Sequence, residues 1–178
     1  KALTTGVVTV SISSTSVTAS TLKTLDADST EAVAAGAVTS ISGTADDIKS
    51  IYSATGITGL GDEAVTLTDT SVTAATLNTL NANTTGTVDA STVTTVTGSV
   101  ADANTMYATA GISGGGDEAV TITDTTVTAS DLNTLDGNTT GTIDASSLKT
   151  ITGTGADAKT AFESAGISLT FDASSYLA

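Results

Sequence analysis

Short blocks in which apolar residues alternate with threonine or serine recur along the chain. Val65-Thr-Leu67-Thr is one, Val120-Thr-Ile122-Thr a second and Val10-Ser-Ile12-Ser a third. Such alternation marks a strand with one buried face, and β-branched residues favour it. A polar turn follows, Asp69-Thr-Ser or Asp124-Thr-Thr, and then Val72 or Val127 points back inward. A helix is predicted next: Thr73 can cap it, and Leu77 and Leu80 share its inner face. Asn81 to Gly86 suit a chain reversal. Thr87-Val-Asp-Ala90 then reads as another short strand, Val93 and Val96 continue the apolar face, and Gly98 ends it. Ser99-Val-Ala-Asp102 has the spacing of a capping box with Asp in place of Glu, as have Thr44 to Asp47 and Thr154 to Asp157. That helix is predicted to run to about Ala110 with Gly111 as its C-terminal cap. Gly114-Gly-Gly-Asp-Glu118 is expected as an exposed loop.

The whole pattern that begins at Val65 begins again at Val120, so residues 65–119 are one repeat unit. Leu22, Leu77 and Leu132 match in that register, as do Gly43, Gly98 and Gly153, and Tyr52 and Tyr107 match Phe162. No insertion is needed until after Ile167. A hexapeptide, apolar residues flanking four small polar ones, starts near 12, 33, 67, 88, 122, 143 and 171. Short and long spacings alternate between these starts. Each unit is therefore a short and a long coil averaging about 27.5 residues, within the leucine-rich-repeat range. One coil cannot bury its apolar face alone, but stacked coils can. The expected fold is α/β: a right-handed solenoid similar to leucine-rich repeats, with short parallel strands and short helices, in one array over residues 1–178. The alternative is a β-solenoid in which the Leu-Asn-x-Leu segments are only turns. On the first reading Leu67, Val88, Ile122 and Ile143 lie on adjacent parallel strands.

Composition removes most chemistry. The chain has 178 residues, 41 of them threonine, a net charge of −14, and no Cys, His, Pro or Trp. Without Cys or His there is no thiolate site, no Ser-His-Asp triad and no imidazole acid–base group. Five lysines cannot neutralise a nucleic-acid backbone, and no apolar run approaches the roughly 20 residues of a membrane span. Every acid has repeated equivalents, which argues against one shaped catalytic pocket, so no enzyme is expected.

Residues 128–142, Thr-Ala-Ser-Asp-Leu-Asn-Thr-Leu-Asp-Gly-Asn-Thr-Thr-Gly-Thr, resemble the Thr/Ala/Gly-rich tandem repeats of very large proteins of marine bacteria, including cyanobacteria. Thr150-Ile-Thr-Gly-Thr-Gly-Ala-Asp-Ala-Lys159 is similar to them too. The resemblance implies a secreted or cell-surface, adhesin-like protein; some such proteins carry RTX calcium modules. Gly114-Gly-Gly-Asp117 approaches the RTX nonapeptide with the wrong spacing, so calcium binding of that type is not carried over.

The residues themselves leave one candidate metal site. Asp62-Glu63 and Asp117-Glu118 follow Gly-x-Gly in equivalent loops, and calcium takes carboxylate and carbonyl oxygens from such loops. The competing reading is a solvated turn whose acids aid solubility. Asp69, Asp124, Asp89 and Asp144 read as turn residues that accept backbone hydrogen bonds. Thr66, Thr68, Thr121 and Thr123 are expected on one outward strand face, a pattern that can also order water into ice. The expected function is structural: a module of an extracellular or cell-surface protein, fibre, surface layer or adhesin stalk, without cofactor. Its expected partners are neighbouring repeats or another copy stacked head-to-tail through Phe171 and Tyr176 against Leu3, Val7 and Val8. The alternatives are a module binding calcium, glycan or protein, and a phage tail-fibre or virion-surface component.

Overall fold

The computed structural model describes residues 10–170, and within them the chain is α/β, with all strand pairings parallel and six short helices. The expected seventh coil at 171 and the stacking residues Leu3, Val7, Val8, Phe171 and Tyr176 lie outside the described residues. The contacts divide the chain into two compact units. Among the described residues, one takes in residues 10–69 with Thr79–Thr92 and Gly111–Ser113; the other takes in Thr70–Asn78, Val93–Ala110 and residues 114–170.

The first unit holds two sheets. Strands β1 (Val10–Ser11), β3 (Val33–Ala34) and β5 (Ile57–Thr58) form one, in that order. The other runs β10 (Ile112–Ser113), β8 (Val88–Asp89), β6 (Ala64–Leu67), β4 (Ser40–Gly43), β2 (Ser16–Thr18). Helices α1 (Ala19–Asp28) and α2 (Ala45–Ser53) pack on each other. In the second unit the five-stranded sheet runs β15 (Ile167–Ser168), β13 (Ile143–Asp144), β11 (Ala119–Ile122), β9 (Thr95–Gly98), β7 (Ser71–Thr73). A pair, β12 (Thr126–Thr128) and β14 (Thr150–Thr152), stands as a further sheet. Helices α4 (Val100–Ala108), α5 (Ala129–Asn138) and α6 (Gly155–Glu163) pack in succession. Helix α3 (Ala74–Asn83) starts in one unit and ends in the other. The Leu-Asn-x-Leu segments lie in α3 and α5, which overturns the β-solenoid alternative.

The strands climb by one nearly constant ladder step. One inward column is Val17, Ile41, Val65, Val88, Ile112, and the other is Val72, Val96, Val120, Ile143, Ile167. Ile41, Val65, Val88 and Val96 have no exposed surface. The helices keep a different and longer step. They start at Ala19, Ala45, Ala74, Val100, Ala129 and Gly155, so a shorter and a longer interval alternate, and two intervals make one repeat. Two strands separate α1 from α2 and three separate α2 from α3, and the alternation continues along the chain. One helix falls between each hexapeptide start and the next, and the strands follow the shorter ladder.

This corrects the expectation that Leu67, Val88, Ile122 and Ile143 lie on adjacent strands of one ladder. Within the ladders Val88 pairs with Val65 and Ile143 with Val120. A slip from one inward position to the next leaves the same side chains facing inward, so hydrophobic alternation cannot detect it. Leu67 and Val88 do share a sheet, but Ile122 and Ile143 belong to another.

Each helix starts on a hydroxyl. Thr18, Thr44, Ser99, Thr128 and Thr154 accept the N–H of Thr21, Asp47, Asp102, Asp131 and Asp157, and Thr73 does the same for Thr76. The capping boxes differ from expectation in one detail. The Asp102, Asp131 and Asp157 carboxylates accept from the cap hydroxyl itself, since Asp is one methylene too short to reach the cap N–H as Glu does. Gly111 is not a left-handed cap: α4 ends at Ala108 and Gly111 has no positive φ.

The ladder step also governs the helix starts. One step beyond Ala19, Ala74 and Ala129 stand Gly43, Gly98 and Gly153, each at positive φ with the helix's first residue against it. One step beyond Ala45 and Val100 the residue is an aspartate. Ala45 N–H donates to Asp69 Oδ2 at 2.7 Å and Val100 N–H to Asp124 Oδ2 at 2.8 Å. These N–H groups have no partner within their own helix, and a carboxylate there also meets the positive end of the helix dipole. Asp69→Ala and Asp124→Ala are each expected to destabilise the chain by about 1 kcal/mol, from the usual worth of a helix cap. Urea unfolding of the two variants checks this, and an unchanged midpoint in both sets the capping role aside.

Candidate functional site

The Gly-x-Gly-Asp-Glu loops precede β6 and β11, in the coils that carry three strands. Gly59 and Gly61 in one loop, and Gly114 and Gly116 in the other, have positive φ. The backbone there folds back so that the glutamate turns inward. Glu63 has no exposed surface and Glu118 is 2% exposed, whereas Asp62 and Asp117 retain solvent contact. The expectation of one exposed acidic loop therefore holds for the aspartates only. The two acids of each pair point to different surroundings, and among the described residues no three carboxylates lie close enough to share a metal ion.

The buried carboxyls are held by the protein itself. Glu63 accepts the Gly61 N–H through both oxygens, at 3.1 and 2.9 Å, and the Tyr52 hydroxyl at 2.9 Å. Its main-chain carbonyl accepts the Thr84 hydroxyl at 2.7 Å, and the Thr84 oxygen in turn accepts the Gly86 N–H at 3.0 Å. One repeat further on the set is rebuilt. Tyr107 and Gly116 donate to Glu118 at 3.1 and 2.7 Å, Thr139 donates to the Glu118 carbonyl at 2.9 Å, and Gly141 N–H reaches Thr139 at 3.0 Å. Burial pushes the Tyr52 and Tyr107 phenols well above the usual tyrosine range, and the neighbouring glutamates reinforce the shift. The sequence reading named Glu63 and Glu118 but missed their partners. The clue was available: Tyr52 precedes Glu63 by the same interval as Tyr107 precedes Glu118, and Phe162 replaces the tyrosine in the third repeat.

The remaining acids serve turns and caps. Asp89 accepts the Ser91 N–H and Asp144 the Ser146 N–H, each at 3.0 Å, as expected of turn aspartates. Hydrogen bonds from Ser91 and Ser146 hold these two carboxyls below the usual range. Lys23 pairs with Asp47 at 2.7 Å and Lys159 with Glu163, both at the surface, where water and salt screen an ion pair. The threonines expected on one face are divided. Thr66 lies between Ser42 and Asp89 in one sheet, and Thr121 between Thr97 and Asp144 in another. No helix among the described residues is long and apolar enough to cross a membrane.

Compared with known proteins, the chain matches no family model, no curated protein and no solved structure.

Two outcomes are expected from this geometry. A Cβ on Gly86 would sit 2.2 Å from the Glu63 carbonyl oxygen, and one on Gly141 2.1 Å from that of Glu118. Gly86→Ala and Gly141→Ala should therefore each cost about 1–3 kcal/mol, as overpacking does. Gly137 lies in α5 with nothing near its missing Cβ, and Ala27 and Ala82 stand at the equivalent positions. Gly137→Ala should stabilise by about 0.5–1 kcal/mol, the helix preference for alanine. Thermal melts of the three variants that rank them otherwise would set aside the close approach at Glu63 and Glu118.

The second outcome concerns alkali. A phenol whose folded pKa is raised adds stability that is complete below the unfolded pKa of 10.0 and is lost as pH rises above it. Stability should fall from about pH 10 upward. Tyrosinate absorbance from Tyr52 and Tyr107 should appear together with loss of helical circular dichroism. In Tyr52→Phe plus Tyr107→Phe the alkaline slope should flatten. Tyrosinate absorbance appearing at full helicity would mean that the phenols are not protected.

Proposed function

We propose that this chain is a structural repeat module: a stretch of right-handed solenoid, organised like leucine-rich repeats, that forms a segment of an extracellular fibre, surface layer or adhesin stalk. The observation that carries this reading is the nearly constant ladder step in every sheet, set against a sequence whose Val65 block starts again at Val120. A ladder of that kind adds length with each repeat and leaves the cross-section unchanged. The use of the polar groups fits the same role. The buried glutamates, the capping aspartates and the turn aspartates all hold backbone, and their equivalents recur from repeat to repeat. A net charge of −14 keeps such a segment in solution and opposes lateral clumping. The Thr/Ala/Gly-rich resemblance to large surface proteins of marine bacteria points to the same place and the same task. On this reading the partner is more of the same repeat, in the parent chain or in another copy stacked end to end.

Chains with two, four and eight tandem copies of residues 65–119 test the proposal by small-angle scattering. Strand spacing implies that each repeat adds about 11 Å of length at fixed cross-section. Expected is a maximum dimension that rises linearly with copy number. A radius of gyration growing as the cube root of mass, as for a globule, overturns it.

A further inference from the structure

Among the described residues, two of the four sheets have five strands and the other two are parts of the same pattern. In the register of the repeat, β1, β3 and β5 correspond to β6, β8 and β10, and to β11, β13 and β15. Likewise β12 and β14 correspond to β2 and β4, and to β7 and β9. Each five-stranded sheet joins one such pair to one such triple, through β4 beside β6 or β9 beside β11. The pair β12–β14 lacks its triple, and the triple β1–β3–β5 lacks its pair. Side chains at the two open edges show the same deficit. Val10 and Ile12 are half-buried, whereas Val65, Leu67, Val120 and Ile122 in the equivalent places are buried. Leu148 and Ile151 are half-buried, whereas Val38, Ile41, Val93 and Val96 are buried. The β4–β6 and β9–β11 pairings each lie inside one compact unit.

We infer that a second copy of this chain completes the sheet: β14 of one copy pairs in parallel with β1 of the next, giving the order β12–β14–β1–β3–β5 across the joint. The register is that of the interior, where Ile41 pairs with Val65 and Val96 with Val120, so Ile151 of one copy stands beside Val10 of the next. Thr68 N–H donates to the Gly43 carbonyl and Thr123 N–H to the Gly98 carbonyl, each at 3.0 Å. At the joint, Ser13 N–H of the next copy donates to the Gly153 carbonyl in the same way. Pairing gives the open backbone groups of both edge strands a partner. Two observations select a second copy as the occupant. The Gly-x-Gly-Asp-Glu loop that leads to β6 beside β4, and to β11 beside β9, does not recur after β15. Phe162, which is 44% exposed, stands in the place of Tyr52 and Tyr107, and Val8 in the place of Glu63 and Glu118. Hydroxyl and carboxyl are thus lost together at opposite ends of the sequence, whereas loss of one alone would leave the other unmatched. The two mating faces differ, so each joint leaves one face of each kind free and association continues end to end. This inference rests on the repeat-module reading and names its partner and register. Linear growth of tandem copies within one chain tests that reading, and association between chains tests the joint, so either can fail alone.

Sedimentation of the full chain at rising concentration decides it, in about 0.15 M salt so that the negative charges are screened. Expected for the unaltered chain is a mass that climbs through the dimer to longer species. Ser13→Pro removes the donor at one face; Ser13 is exposed and lies outside the strands, and proline is tolerated at a sheet edge. Ile151→Asp puts a charge on the other face. Each variant alone should stay monomeric, because one face is blocked in every copy. An equimolar mixture of the two should form dimers and stop there, because only one kind of joint remains open. Circular dichroism confirms that each variant is folded, and Ser13→Pro decides alone if Ile151→Asp fails to fold. An unaltered chain that stays monomeric at every concentration would overturn the inference, as it would if residues 171–178 of the same chain took the place beside β14. Association that persists undiminished in Ser13→Pro, or a mixture of folded variants that stays monomeric or grows past the dimer, would overturn it as well.

Discussion

Parallel strands must exchange hydrogen bonds with neighbours at a fixed spacing, and in this chain each strand finds its partner one nearly constant step along the sequence, as Val17 finds Ile41 and Ile41 finds Val65. The sequence itself repeats over a longer interval, from Val65 to Val120. Two ladder steps fall short of one repeat, and the surplus decides the rest of the architecture. It is spent as an additional strand in alternate coils, so the intervals between helix starts alternate between shorter and longer. The residue that meets each helix start then alternates too. It is glycine where the next strand's end packs against Ala19, Ala74 and Ala129, and aspartate where an N–H needs an acceptor at Ala45 and Val100. An interchange of the two would put a side chain into the contact with Ala19 and leave the Ala45 N–H without its carboxylate.

The core that results is thin and aliphatic, and it solves its polar obligations with few residue types. Hydroxyls begin the helices, carboxylates receive the N–H groups that turns and helix starts leave over, and the two enclosed carboxyls are met by a phenol and a glycine N–H. A small apolar interior cannot dilute an unmatched polar atom. The return of the Tyr52–Glu63 bond as Tyr107–Glu118 shows that the solution is built into the repeat.

Much of this was legible beforehand. Alternating Val/Thr blocks marked β6 and β11, the Leu77–Leu80 pair marked a helix, and the hydroxyl caps stood where the spacing placed them. The repeat and its mean coil agree with the helix starts. The ladder step was hidden for a definite reason. Side chains in a strand alternate between faces, so pairing Val88 with Val65 or with Leu67 buries the same face. Direction within the acidic loop was hidden as well. Asp62 and Glu63 are adjacent and look alike as ligands, and only the positive-φ glycines, together with Tyr52 on the preceding helix, determine that one turns out and the other in. Gly111 misled because glycine after a helix usually signals a left-handed cap, whereas here a Cβ would meet Asn81.

The narrowness of the sheets has a bearing on how the strand faces would meet a neighbour. No ladder exceeds five strands among the described residues, and five strands at the usual separation make a strip only about 20 Å across. Its outward rows are broken further by Asp89 and Asp144. A second molecule laid against such a strip would find matching hydroxyls over that width only. A strip so narrow offers little of the zippering by which broad flat sheet surfaces fuse into insoluble ribbons.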